Sequence, residues 1–191
     1  MPGSFSPEQI CSKALGLLGQ DAITDITSTT NKNAKLCAQV YYITRDALLT
    51  SYRWGFATQR VMLAVSTTAP AFGYANQFPL PADFLRIQST HDRLITYVIE
   101  SGYLLTDSDE VGIIYTRRFE ETGLMDPLFV EALAARIARE LAMPILKKAS
   151  AVQLADSLYR EALSAAKLVE AMQDNPEDIT VEEKSAWLAA R

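Results

Sequence analysis

The hydrophobic period of this chain changes twice. Helical spacing runs to about residue 54, gives way to short β-type segments between about residues 58 and 119, and returns at Asp126. A stretch patterned for period 2 does not settle as a helix, nor a 3.6-residue pattern as a strand, so the fold must set a β insertion between two helical stretches. The expected class is α+β, mainly α: a helical bundle body with an inserted small antiparallel β-sheet and a C-terminal tail. The body comprises residues 1–57 and 121–173, the insertion residues 58–120 and the tail residues 174–191, one structural unit overall.

The first helix is marked at both ends. Ser6 suits the N-cap, Pro7 the first turn, and Gln9 completes a capping box, with Phe5 and Ile10 placed as a hydrophobic staple. Ile10, Ala14, Leu17 and Leu18 supply its apolar stripe, and Gly19 is the stop. A second helix is predicted from about Asn31 to near Gly55, with a stripe of Cys37, Val40, Tyr41, Thr44, Ala47, Leu48 and Ser51.

RVMLAVSTT, FLRIQS, LITYVIES and VGIIYTRRF are the predicted strands, while Pro79 and Pro81 keep NQFPLPADF extended. Residues 100–102 and 107–110 read as hairpin turns. Asp126 and Pro127 open a third helix along the line Phe129, Leu133, Ile137 and Leu141, which Pro144 ends or kinks. Its alanines 132, 135 and 142 allow close approach of a neighbour. Ser150 with Gln153 reads as a second capping box. It opens a helix whose stripe is Val152, Ala155, Leu158, Ala162, Ala165, Val169 and Met172, stopped by Asn175 and Pro176.

Little in the chain has the pattern of catalytic chemistry. A formal charge of −5, from 23 acidic and 18 basic side chains, argues against a protein that grips nucleic acid through its overall field. Cys11 and Cys37 have no CxxC or Cys/His company and read as buried, reduced thiols. The single histidine, His91, is read as a surface turn residue beside Asp92. Asp107, Asp109 and Glu110 lack the spacing of a calcium loop and read as a solvated hairpin tip. Glu120 and Glu121 are adjacent on an extended chain and would not face one substrate bond. Arg117 and Arg118 lie between Tyr115 and Phe119, but the following acids oppose phosphate binding. No cofactor and no metal are expected. The N-terminus lacks the features of a signal peptide, and no apolar run approaches the length of a membrane span.

Tyr52, Trp54 and Phe56 alternate around Gly55 where the second helix hands over to the first strand. They are read as a structural hinge, each burying apolar area and together setting the angle between helical and β parts. The order ALGLLGQDAITDI, NAKLCAQVYYITRDALLTSYRWGFATQRVMLA, YANQFPLPADFLRI, VGIIYTRR and MDPLFVEALAARIARELAMPI resembles one family. It is that of the head-to-tail adaptors of short-tailed, podovirus-type bacteriophages, the tail tubular protein A family. The likeness spans about residues 8–170 and rests on the Trp-x-Phe-Ala segment followed by Phe-Pro-Leu-Pro-x-Asp-Phe-Leu-Arg; the family often has Asn where Gly55 stands.

The resemblance implies a structural virion protein rather than an enzyme. Such adaptors form a ring, usually of twelve copies, between the portal protein ring and the tail nozzle, or tubular protein B. Double-stranded DNA passes through the lumen only in transit, and no membrane is involved. The protein would be assembled in the host bacterial cytoplasm and reside at the head–tail junction of the virion. Trp187 and Leu188 in the tail are the expected portal anchor, the alternative being that they pack back on their own subunit. The competing readings are a head–tail connector of a long-tailed phage, a carbohydrate-hydrolysing tail enzyme using an acidic pair, and a nucleic-acid-binding module.

Overall fold

A computed structural model describes residues 5–173. Four helices and six strands follow one another as α1 (Pro7–Leu17), α2 (Lys32–Ser51), β1 (Thr58–Leu63), β2 (Asn76–Pro79), β3 (Phe84–Thr90), β4 (Val98–Glu100), β5 (Tyr103–Thr106), β6 (Val111–Arg117), α3 (Pro127–Leu146) and α4 (Ala149–Gln173). The protein is α+β and mainly α.

The helix ends form where their side chains dictate. Ser6 Oγ accepts the Gln9 N–H at 3.3 Å while Gln9 Oε1 accepts the Ser6 N–H at 2.9 Å, a reciprocal cap on α1. At the other end Gly19 takes φ +66°. Its N–H bonds Gly16 O and the Gln20 N–H bonds Leu15 O, a Schellman closure. Asn31 caps α2 and Asp126 caps α3 through their side-chain oxygens. Pro144 sits inside the final turn of α3, and the chain leaves that helix at Lys147 in the left-handed region.

Around α3 lies the larger core. Phe129, Leu133, Ile137 and Leu141, the line the spacing predicts, are all buried, as are Ala132, Ala135 and Ala142. The contacting helices α1, α2 and α4 cover these positions. Two predicted faces match the buried ones only in part. In α2 the predicted Cys37, Tyr41, Thr44 and Leu48 are buried and Val40 packs against the core, but Ala34, Arg45 and Leu49 are buried too, while Ser51 is exposed. In α4 the buried set is Ala155, Tyr159, Ala166 and Glu170, which turns Ala165, Val169 and Met172 outward. Its start differs as well. The Ala151 and Val152 amides bond Lys148 O, and Ser150 lies within the first turn instead of capping it.

The β insertion is two sheets, not the single sheet expected. β1-β6-β3 and β2-β5-β4 are each antiparallel and three-stranded. They face each other across a second core of Phe78, Leu104, Val111, Ile113 and Tyr115, with Val61, Leu63 and Ile87 at its margin. Ser101 and Gly102, both at positive φ, make the two-residue turn joining β4 to β5. Residues 107–110 do not form a hairpin: they carry the chain from β5 in one sheet to β6 in the other.

Tyr115 shows how the second core holds a polar group. Its ring stacks on Phe84 at 5.8 Å and its hydroxyl donates to Asp83 Oδ1 at 3.0 Å. Burial, then the bond to the Asp83 carboxylate, pushes its pKa from 10 up to about 12. The folded state therefore keeps this proton longer than the unfolded chain. The stabilisation is fully present below pH 10 and is lost as pH rises through about 12. Burial pushes Tyr41 up as well, so replacing Tyr115 removes only its own share. Urea unfolding across this alkaline window should show a shallower loss of stability for Tyr115→Phe than for the parent chain. Equal slopes would mean that Tyr115 does not carry the effect.

Candidate functional site

The aromatic corner lies where α2 meets β1. After Ser51 the backbone turns extended at Tyr52, with φ −151° and ψ 168°. It then makes a 3-10 turn over Gly55–Ala57 before β1 begins. Trp54, 1% exposed, sits beneath this turn. Its Nε1–H donates to Leu48 O at 3.1 Å, closing the carboxyl end of α2. Its ring meets Phe129 edge-on at 5.0 Å, while Phe56 meets Phe129 at 5.0 Å and Phe119 at 5.2 Å. Tyr52 packs against Trp54 at 5.3 Å and carries the Lys167 ammonium over its other side. All three residues singled out in the sequence therefore pack at the junction of helices and sheets, with Phe119 and Phe129 joining them from later in the chain.

A polar strap runs beside this cluster. Arg45 is 3% exposed, and a buried guanidinium is tolerable only when paired. Arg45 Nε donates to Asp46 Oδ1 at 2.9 Å and Nη2 to Glu120 Oε1 at 3.3 Å. Arg118 Nε donates to the second oxygen of Asp46 at 2.8 Å. Arg86 Nη1 donates to Thr50 O at 2.7 Å. These bonds tie α2 to β3 and to the segment after β6. On the other side of the corner the Gly55 N–H donates to the Glu170 carboxylate, which explains a buried acid on α4. A Cβ at position 55 would come within 2.9 Å of Glu170 Oε1, so glycine lets the carboxylate sit directly over the backbone.

The acidic and basic candidates are thus engaged with one another. Glu120 and Glu121 serve different arginines, Arg45 and Arg117, and do not converge. Arg117 lies over the Phe119 ring at 4.6 Å and Arg118 is held by Asp46, so a phosphate would have to displace existing partners. Asp107 Oδ1 accepts the Ala75 N–H at 2.9 Å, and Asn76 Nδ2 donates to Ser108 O and Asp109 Oδ1. Asp107, Asp109 and Glu110 are exposed, as the sequence reading had it, but the segment is a connector fastened to the start of β2 and not a hairpin tip. His91 is exposed in a bend, and its Nδ1 accepts the Gly112 N–H at 2.9 Å. Asp92 serves the Leu94 N–H instead.

Among the described residues, no three His, Cys, Asp or Glu side chains gather as a metal site, and no helix is long and apolar enough to cross a membrane. Cys11 and Cys37 are both buried. Contact with the Cys37 thiol, then burial, pushes the Cys11 thiol far up, which makes it a poor nucleophile. Trp187 and Leu188 lie outside the described residues.

Sequence reasoning missed Arg45, Asp46 and Glu170. The signal was present for two of them: Arg45 falls at i+4 from buried Tyr41, and Glu170 at i+4 from buried Ala166. A charge on the core side of an amphipathic helix calls for a specific partner. No protein-family model and no curated protein matches this chain.

Truncating Trp54 to Ala should cost about 3–5 kcal/mol of stability, from lost burial and the cavity left behind. Trp54→Phe should cost distinctly less, since it keeps a ring at the corner and loses the bond to Leu48. Chemical denaturation of both variants measures this. A Trp54→Ala cost below about 1 kcal/mol would remove the corner from the account of stability.

Proposed function

We propose that this chain is a structural connector of a short-tailed phage virion: a head-to-tail adaptor that assembles as a ring between the portal and the tail nozzle, and not an enzyme. The observation that carries the reading is where the chain spends its chemistry. The polar side chains at the helix–sheet corner hold elements together, while large apolar side chains point outward. On α4, Leu168 is 59% and Met172 74% exposed; on α2, Ile43 is 74% exposed beside Tyr42. Outward apolar groups on long helices suit a protein whose work is contact with other subunits.

The motif order and the arrangement of helices, β insertion and helices support the adaptor reading over the long-tailed connector, since the latter shares the helical body but not the long insertion. The hydrolase reading asks for two carboxylates facing one bond, and Glu120 and Glu121 are each turned to a different arginine. An overall charge of −5 suits a lumen that lets DNA slide, because tight phosphate contacts would retard it. The tail, with Trp187 and Leu188, is the proposed portal contact.

Native mass of the purified chain, alone and with its portal ring, tests this reading. Twelve copies of 21.1 kDa give a ring of about 253 kDa. The expected result is that ring, formed either alone or only on the portal. A chain that ignores the portal and never exceeds a dimer would defeat the adaptor reading. Deleting residues 174–191 should weaken portal binding by tenfold or more, measured by co-sedimentation, while α-helical content is kept; an unchanged affinity would exclude the tail from the contact.

A further inference from the structure

Two three-stranded sheets leave four strand edges: β1 and β3 in one sheet, β2 and β4 in the other. An open edge offers unpaired N–H and C=O groups to another strand, so folded proteins protect most of theirs. Here two are protected. The edge of β2 is met by the chain following β1, whose Ser66 N–H donates to Gln77 O at 2.8 Å. The β3 strand carries two register irregularities and leans on α2 through Arg86 and Thr50. The other two, β1 and β4, receive no backbone hydrogen bond on their outer sides from the described residues.

These two edges are complementary. Arg60 on β1 and Glu100 on β4 are exposed and have no ion-pair partner among the described residues. Met62 is 58% exposed on β1, and Ile99 is 37% exposed on β4. Val61 lies opposite Ile113, and Ile99 opposite Leu104, so both point to the inner faces of their sheets. An antiparallel pairing that sets Arg60 against Glu100 also sets Val61 against Ile99 and Met62 against Val98. Inner faces then continue from one sheet into the other; a slip by one residue would turn an apolar side chain the wrong way. The two-residue turn makes Glu100 and Tyr103 a hydrogen-bonded pair, which leaves the N–H and C=O of Ile99 directed outward.

We infer that β1 of one copy pairs with β4 of the next, joining the sandwiches of neighbouring copies edge to edge through Arg60 and Glu100. The inference rests on the connector reading and names the self-contact within it. Because the edges differ, the contact is head-to-tail, and repetition closes into a ring if the rotation per copy is right.

Cysteine cross-linking of the purified full chain tests it. With Arg60→Cys and Glu100→Cys in the same chain, mild oxidation should give a ladder of covalent multimers; either variant alone should give no species beyond a dimer. Charge reversal supplies the second arm. Arg60→Glu and Glu100→Arg should each raise the concentration needed for association about tenfold, and their combination should restore it. Circular dichroism checks that each variant folds. Absence of the ladder, or ring mass indifferent to both reversals, overturns the edge pairing. Rings that persist in those variants would leave the connector reading standing with another interface. A double-cysteine chain that gives no ladder, together with a parent chain that does not assemble on a portal, overturns both.

Discussion

Everything beyond the helical core depends on the aromatic interlock at Trp54. The chain passes between helices and sheets twice, outward after α2 and back after β6, and both passages touch the same rings. Trp54 and Phe56 lie on the outward passage, Phe119 on the return, and Phe129 at the start of α3 meets the first two. Edge-to-face contacts of this kind add about 0.5–1.5 kcal/mol each beyond the area they bury. Their greater effect is geometric. Four rings locked together fix the direction in which β1 leaves and β6 returns, and thereby the pose of the sandwich on the bundle.

The polar strap reinforces the same junction by a different route. Arg45 could be buried only because Asp46 and Glu120 meet it, and Asp46 is held in turn by Arg118 from the segment after β6. Buried pairs of this type contribute little net stability over apolar replacements, yet removing one partner leaves an expensive charge behind. Such a network discriminates among geometries more than it deepens the fold. It requires α2 and the segment after β6 to be in one place, just as the bond from Gly55 to Glu170 requires α4 to be in one place.

What the sequence made legible is what local chemistry decides. The Ser6–Gln9 box, the Asp126 cap, the Gly19 stop and the line through α3 follow from side chains within a turn or two of each other. The corner was legible too, since three alternating aromatics at a change of period supply the apolar area that a helix-to-strand junction must bury. Apart from the Ser150–Gln153 box, which does not cap α4, the failures are non-local. Splitting the insertion into two sheets depends on β5 pairing with β2 rather than β6, a choice between distant strands that period 2 cannot express. β2 and β5 have only four residues each, too short to announce themselves. The burial of Arg45 on α2 and Glu170 on α4 was hidden because neither residue belongs to an apolar stripe. Their partners, Glu120 and Gly55, are 75 and 115 positions away.

The same rigidity bears on assembly. A closed ring demands an identical rotation at every contact, about 30° for twelve copies, and an error of a few degrees per joint would open the ring into a helix. A subunit whose two contact surfaces sat on separately mobile parts could not meet that demand. The edges of β1 and β4 belong to one sandwich with a common core of Phe78, Leu104, Val111 and Ile113, so their mutual angle is set by packing within it. The corner at Trp54 then carries that angle to the helices. If contacts along the ring are made by the sandwich and contacts to the portal by the helical body and tail, the interlock keeps the two sets in register. On the connector reading, loosening the corner would therefore disturb how the ring seats on the portal, while closure of the ring stays with the packing of the sandwich.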